Sequence, residues 1–330
     1  MPTDTAAPAV SYLDAIAAAL GSEMDANPDV FLIGEDVGQF GGAFKVTKGF
    51  LDRFGPRRVV DTPIAESGFT GLACGAALMG LRPVVEFQFA DFISCAFDQI
   101  INNCSRHYYR TGNPIPVTFR APFGARLGAG PTHSQSIEAY FAHVPGLKIV
   151  APATPADAAG LLISAIRDNN PVLYLESKYL YRRIEVPGPL PLDPVPIGSA
   201  RVARAGTGVS LITYSAGLHQ GLEAAAELDK EGISVEVVDL RTLVPLDVAT
   251  VAASVNKTSR AVVLHEDARR LGYGAEIAAT IQEECFWWLD GPVVRITGKD
   301  TPIPTAPALE DAAVPQLPEI IATLRRVATT

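Results

Sequence analysis

Cysteine is scarce in this chain, with four in 330 residues, at positions 74, 95, 104 and 285. They form no Cys-x-x-Cys pair and no repeating frame, which argues against a zinc site or a disulfide scaffold and fits a reducing compartment. Long apolar runs are missing as well: Gly, Pro or a charge interrupts every hydrophobic stretch before the roughly 18–20 residues that a membrane span needs. Basic residues are the minority, 27 Lys and Arg against 36 Asp and Glu for a net charge of −9. A general nucleic-acid or anionic-membrane binder would need a net basic surface. The opening MPTDTAAPAV has no basic region, no apolar core of signal length and no Arg-rich amphipathic pattern, so no targeting segment is expected and the cytoplasm is the expected compartment. Nucleotide loops are incomplete. Gly124 to Gly130 and Gly272 to Ile277 imitate parts of Gly-x-Gly-x-x-Gly without completing it after a first strand, and no Walker loop occurs.

What the chain does have is apolar content, 48% hydrophobic against 19% charged, enough for about two domains at ~100–200 residues each. Val- and Ile-rich runs at 30–33, 83–87, 115–119, 147–150 and 171–175 have the length and composition of strands buried on both faces. Ala-rich or amphipathic stretches at 11–26, 64–80, 91–111 and 155–169 alternate with them and open on Ser, Asp or Thr-Pro caps. That alternation predicts an α/β fold with a mainly parallel sheet covered by helices. Prolines cluster within 182–207, which predicts an extended linker, with a boundary near 190. A second alternating series follows, giving a domain over 1–190, a linker over 191–207 and a smaller α/β domain over 208–330. No internal repeat is present.

Four segments carry candidate chemistry. In Asp61-Thr-Pro-Ile-Ala-Glu66 a carboxylate stands at a strand-to-helix corner, where it could activate a cofactor or answer the helix dipole. Pro63 suits a first helical turn, and Gly71, Gly75 and Gly80 keep the helix slim where something packs closely. Gly128-Ala-Gly-Pro-Thr-His133-Ser-Gln-Ser sets an imidazole in a loop with polar neighbours, able to move a proton near neutrality or to serve as a bonded loop residue. Glu86-Phe-Gln-Phe-Ala-Asp-Phe92 follows a buried strand at the edge where open α/β sheets bind ligands, so an aromatic there can pack on a heterocycle or in the core. Ala165 to Pro171 has the form of a helix end whose free carbonyls suit water or a hard monovalent cation. His107, His143, His219 and His265 share no metal-ligand spacing.

Taken together, these segments resemble the β subunit of the thiamine-diphosphate-dependent decarboxylating component of 2-oxoacid dehydrogenase complexes. Besides DTPIAE (61–66) and THSQS (132–136), the resemblance runs through GEDVG (34–38), GAFKVTKGF (42–50), GLRPVVEFQFADF (80–92), AFDQI (96–100), PGLKIVAP (145–152), SAIRDNNP (164–171), VVDLRTLVPLD (237–247) and RITGKDTPIP (295–304). It implies a thiamine-diphosphate pyrimidine-binding domain followed by a transketolase C-terminal-type domain. It also implies an α2β2 heterotetramer whose α subunit holds magnesium and the diphosphate through Gly-Asp-Gly…Asn; this chain has no Gly-Asp-Gly. The family's activating glutamate falls on Glu66 and its active-site histidine on His133, with Gln88 and Phe92 beside the cofactor; some members carry tyrosine at the position of Phe92. Val117, Thr118, Ala165, Ile166, Asp168 and Asn170 match a potassium site made mainly of backbone carbonyls.

The implied reaction is decarboxylation of a 2-oxoacid and transfer of the acyl group to the lipoyl arm of a dihydrolipoyl acyltransferase, whose core the C-terminal domain is expected to dock. EFQFADF, THSQS and IQEECF (281–286) lean toward branched-chain acids, whereas Phe92 and SAIRDNNP lean toward pyruvate; the balance favours branched-chain acids slightly. An acetoin-cleaving β subunit and a non-catalytic assembly subunit are the alternatives.

Overall fold

The five valine- and isoleucine-rich runs become strands of one seven-stranded sheet, buried on both faces as a helix-covered parallel sheet requires, and the second alternating series supplies a smaller sheet. The computed structural model describes residues 8–330; most of the segment on which the targeting expectation rests, residues 1–7, lies outside the described residues. In the first half, β1 (Val10–Ser11) leads through α1 (Tyr12–Ala26), β2 (Val30–Gly34), α2 (Phe50–Phe54), β3 (Val59–Asp61) and α3 (Glu66–Leu78) to β4 (Arg82–Glu86). Then come α4 (His107–Thr111), β5 (Thr118–Phe123), α5 (Glu138–Ala142), β6 (Lys148–Val150), α6 (Pro155–Arg167), β7 (Val172–Ser177) and β8 (Glu185–Val186). The second half holds β9 (Arg201–Arg204), β10 (Val209–Thr213), α7 (Ala216–Asp229), β11 (Val235–Asp239), β12 (Thr242–Val244), α8 (Val248–Thr258), β13 (Ala261–Ala268), α9 (Gly274–Cys285), β14 (Val294–Gly298), α10 (Pro307–Ala313) and α11 (Leu317–Thr329).

The larger sheet runs β12-β6-β7-β5-β4-β2-β3, parallel except for β12 at its edge. The smaller runs β14-β13-β10-β11-β9, parallel except for β9. Among the described residues no helix is long and apolar enough to cross a membrane. Ser11 starts α1 with a reciprocal cap, accepting from the Asp14 N–H while the Asp14 carboxylate accepts from Ser11.

Several expected elements are redrawn. The helix expected over 91–111 is broken into a 3-10 turn at Ala90–Ala96, a π turn at Gln99–Cys104 and α4. The hydroxyls of Ser94 and Ser105 donate to the carbonyls of Asp91 and Ile100, drawing acceptors out of a regular ladder. The strand expected at 115–119 starts at Thr118, because Pro114 and Pro116 have no N–H to give a sheet. The stretch expected as linker contains β9, which pairs antiparallel with β11 once the chain has passed Pro196. Finally, β12 leaves its own half of the sequence and adds to β6, so one strand of the larger sheet comes from beyond residue 240.

Charge sits at the centre of the larger sheet. Arg120 on β5 is 0% exposed and lies directly across from Glu86 on β4. It donates to Glu86 at 2.6 Å and to Glu176 on β7 at 2.9 Å, and the hydroxyl of Tyr181 donates to Glu176 at 2.8 Å. Burial pushes the Glu86 carboxyl up while Arg120 pulls it back. Removing one member of such a set strands the others without solvent, whereas replacing the whole set by apolar groups does not. Arg120→Met is therefore expected to cost about 3–5 kcal/mol of stability in thermal or denaturant unfolding. The triple variant with Glu86→Leu and Glu176→Leu recovers most of that loss.

Candidate active site

In a parallel sheet the loops after the strands share one edge, and the candidate residues gather there. Glu35 and Asp36 follow β2, Glu66 follows β3, Gln88 and Phe89 follow β4, the loop 124–136 follows β5, and Lys178 follows β7.

The acidic side of the site is built on α3. The helix opens at Glu66 with Pro63 still outside it, and Ala65 at the cap provides no side-chain acceptor. The first N–H groups are thus uncapped beside the Glu66 carboxylate. Glu35 lies close by, 5% exposed, with Oε1 unpartnered. Burial first, then the charges of Glu66 and Asp36, push its carboxyl up to about 6, while the Ala65 N–H draws it down. Gln88 donates from Nε2 to Asp36 at 2.8 Å, which brings a second expected residue to this group. Asp61 accepts from the backbone N–H of Gly38 at 2.6 Å and of Gln39 at 3.2 Å; a Cβ on residue 38 would stand 2.4 Å from that carboxylate, so the close approach needs glycine.

The imidazole side is aromatic. His133 stands edge-on to Phe89 at 4.7 Å and to Phe92 at 5.2 Å between ring centres, and its Nδ1 lies 3.0 Å from the Thr132 hydroxyl. Its loop is held from several directions. Lys178 Nζ donates to the His133 carbonyl at 2.8 Å, and Asp91 accepts from the Gln135 N–H at 3.2 Å. From the C-terminal domain, Glu310 accepts from the N–H groups of Arg126 and Gly128 at 2.8 Å each, while Arg126 pairs with Glu266 at 2.6 Å. Gly130, at φ +76°, would place a Cβ 2.7 Å from the Thr305 hydroxyl.

The six residues matched to a cation site lie at the opposite edge of the sheet, where α6 runs into β7 beside the start of β5. The Asn170 side-chain oxygen is buried without a partner, as a ligand to a hard cation would be. Arg82 already donates to the Ile166 carbonyl at 2.9 Å and the Asp168 carbonyl at 3.0 Å, and the Val117 carbonyl accepts from Val172 at 3.0 Å. The Asp168 carboxylate pairs with Lys148 at 2.5 Å. Elsewhere, His265 is buried against Tyr214, and burial lowers it to about 4. Among the described residues no group of His, Cys, Asp or Glu has the geometry of a metal cluster.

Glu35, Phe89, Asp91 and Lys178 were not singled out from sequence. The first three lie inside GEDVG and EFQFADF, and their position just past a buried strand is the signal that points to them. Lys178 had no such signal, since a lysine after a strand is ordinarily exposed.

The fold and the arrangement of this edge define a two-domain chain of the transketolase type. The transketolase pyrimidine binding domain family matches residues 8–183 and the transketolase C-terminal domain family residues 198–320. A split-gene transketolase, solved as an inactive β4 tetramer, superposes with a TM-score of 0.79 over 98% of this chain and 99% of that one, at 23% identity. Among relatives, the mitochondrial pyruvate dehydrogenase E1 component subunit beta-2 of Oryza sativa subsp. japonica is 48% identical over 97% of this chain and 87% of its own length. The pyruvate dehydrogenase E1 component subunit beta of Rhizobium meliloti is 45% identical over 99% and 73%. The mitochondrial human subunit is 43% identical over 98% and 92%. The chain belongs to the family of 2-oxoacid dehydrogenase E1 β subunits that these pyruvate dehydrogenase components represent.

The raised carboxyl of Glu35 gives a pH-dependent outcome. Its folded value of about 6 lies above the ordinary 4.5, so folding favours the protonated form and this favourable term is lost as pH rises through 6. The full shift corresponds to about 2 kcal/mol, but Glu35 lies close beneath the surface and solvent screening trims that toward about 1 kcal/mol. Glu35→Gln, unfolded by denaturant at pH 7.5, should be more stable than the unsubstituted chain by about 1 kcal/mol, with the gain vanishing toward pH 4.5.

Proposed function

We propose that this chain is the β subunit of a thiamine-diphosphate-dependent 2-oxoacid dehydrogenase that decarboxylates pyruvate and passes the acyl group to a lipoyl arm. The observation that carries this reading is the carboxylate of Glu66 at the uncapped start of α3, at the same sheet edge as the buried acid Glu35 and the phenylalanine-backed imidazole of His133. Thiamine diphosphate, when bound, supplies the nucleophilic carbon for the 2-oxo group and accepts the electrons left as carbon dioxide departs. Glu66 hydrogen-bonds the pyrimidine ring and holds the proton that sets the ring's tautomer. Glu35, buried beside it, disfavours a second full negative charge there. Gln88 and Phe92 orient the pyrimidine, and His133 moves or stabilises a proton during transfer to the lipoyl group.

The sequence lean toward branched-chain acids gives way here, because the relatives compared are all pyruvate dehydrogenase subunits. The diphosphate and magnesium are assigned to an α partner in an α2β2 heterotetramer, since this chain has no Gly-Asp-Gly. The uncovered face of α3 supports that assembly. Leu72 is 58% and Met79 85% exposed, and a Cβ on Gly75 would meet nothing within 4 Å in this chain. Of the glycines expected to keep this helix slim, Gly71 faces Gln99 within the chain, whereas Gly75 and Gly80 leave open space that suits a partner subunit. Potassium is assigned to the group of Val117, Thr118, Ala165, Ile166, Asp168 and Asn170, with the orphaned Asn170 oxygen as its clearest ligand. Docking of the acyltransferase core is assigned to the C-terminal domain.

In the heterotetramer, Glu66→Ala should lower pyruvate turnover by roughly three orders of magnitude or more, as loss of an essential proton-handling group does. Unchanged turnover would return the chain to the class of assembly subunits. Pyruvate should be the fastest substrate when compared with 3-methyl-2-oxobutanoate and acetoin; a faster branched-chain acid or acetoin would displace this reading. For the cation, the melting temperature should be higher in potassium chloride than in choline chloride at equal ionic strength, and Asn170→Ala should abolish that difference.

A further inference from the structure

We propose that Lys178 is a positioning residue for His133, holding the loop that carries the imidazole against its two phenylalanines through a bond from its ammonium to the His133 carbonyl. The inference rests on the role given to His133 above and adds the residue that places it. Lys178 is 3% exposed, yet among the described residues its ammonium makes a single hydrogen bond, the 2.8 Å contact to the His133 carbonyl. A methionine or leucine would fill the same space without desolvating a charge, so packing alone does not account for a lysine here. Burial pulls its pKa down to about 8, against the attraction of Asp91, Glu266 and Glu310.

The geometry ties this amine to the imidazole by two routes. One is the backbone of residue 133 itself. The other is Phe89: the ammonium lies 5.3 Å from the ring centre, and the same ring meets His133 edge-on at 4.7 Å. Asp91 completes a two-point hold. Its carboxylate accepts from the Gln135 N–H at 3.2 Å, so the segment is gripped two residues apart by groups of opposite charge. Lys178 stands directly after β7, and its backbone N–H donates to the Phe123 carbonyl of β5 at 3.2 Å. The hold on His133 is thereby referred to the rigid sheet rather than to the loop. A loop carbonyl released from such a hold lets the imidazole drift, and a displacement of about 1 Å is enough to cost up to a hundredfold in a positioned reaction.

The test uses the reconstituted heterotetramer and a separately prepared lipoyl domain. Two rates are read for each variant: pyruvate decarboxylation with ferricyanide as electron acceptor, which bypasses the lipoyl group, and single-turnover acyl transfer to the lipoyl domain. Lys178→Met and Lys178→Gln should slow acyl transfer roughly ten- to hundredfold while leaving the ferricyanide rate within about twofold. Lys178→Arg, which keeps the charge and a donor, should recover most of the transfer rate. The double variant His133→Ala with Lys178→Met should be no slower in transfer than His133→Ala alone. If His133→Ala slows transfer and both Lys178→Met and Lys178→Gln do not, or if they depress both rates equally, Lys178 is not a positioning residue. If His133→Ala leaves transfer unchanged, the role assigned to the histidine fails and this inference fails with it.

Discussion

A guanidinium without solvent holds the centre of this protein. Arg120 has no water to turn to, so its carboxylate partners on β4 and β7 must keep their register for the sheet to exist in this form. Each partner is followed within a few residues by part of the site: Glu86 by Gln88, Phe89, Asp91 and Phe92, and Glu176 by Lys178. A slip of one residue in either strand would turn its acid away from Arg120 and its site residues away from the edge at once. Stability and the geometry of the edge are thus fixed by the same three charges.

The edge itself divides its labour by polarity. Around α3 the groups are acidic and close together, which raises Glu35 and favours a site able to retain a proton near neutrality. Around His133 they are aromatic, with the loop backbone held by charged groups set back from the imidazole. The C-terminal domain reaches into this second half through Glu310 and Glu266, so its contribution to the edge is mechanical as well as architectural.

Much of this was legible in the sequence, for identifiable reasons. Val30–Ile33 and Val172–Leu175 read as strands because burial on both faces leaves continuous apolar runs. Glu66 stood out only through the family resemblance of the segments around it, because a carboxylate at a strand-to-helix corner serves equally well as a partner of the helix dipole. The region 91–111 was misread because its apolar spacing suits a helix, while serine hydroxyls bonding to the backbone are invisible in a periodicity. The role of 201–204 was missed because proline density marks where a chain leaves regular structure, not where it returns. Lys178 escaped notice because its environment is made by residues 45 and 87 positions away, which no local pattern records.

The strand β12 has a consequence for how the polypeptide is made. The larger sheet receives its edge strand from residues 242–244, after the chain has crossed the linker and begun the second domain. During synthesis the open side of β6 therefore stays bare while roughly 55 further residues past the end of the first half emerge. A growing chain in that interval presents unpaired backbone groups of the kind that recruit other strands. The two halves share a β-sheet and so finish together, whatever order they begin in.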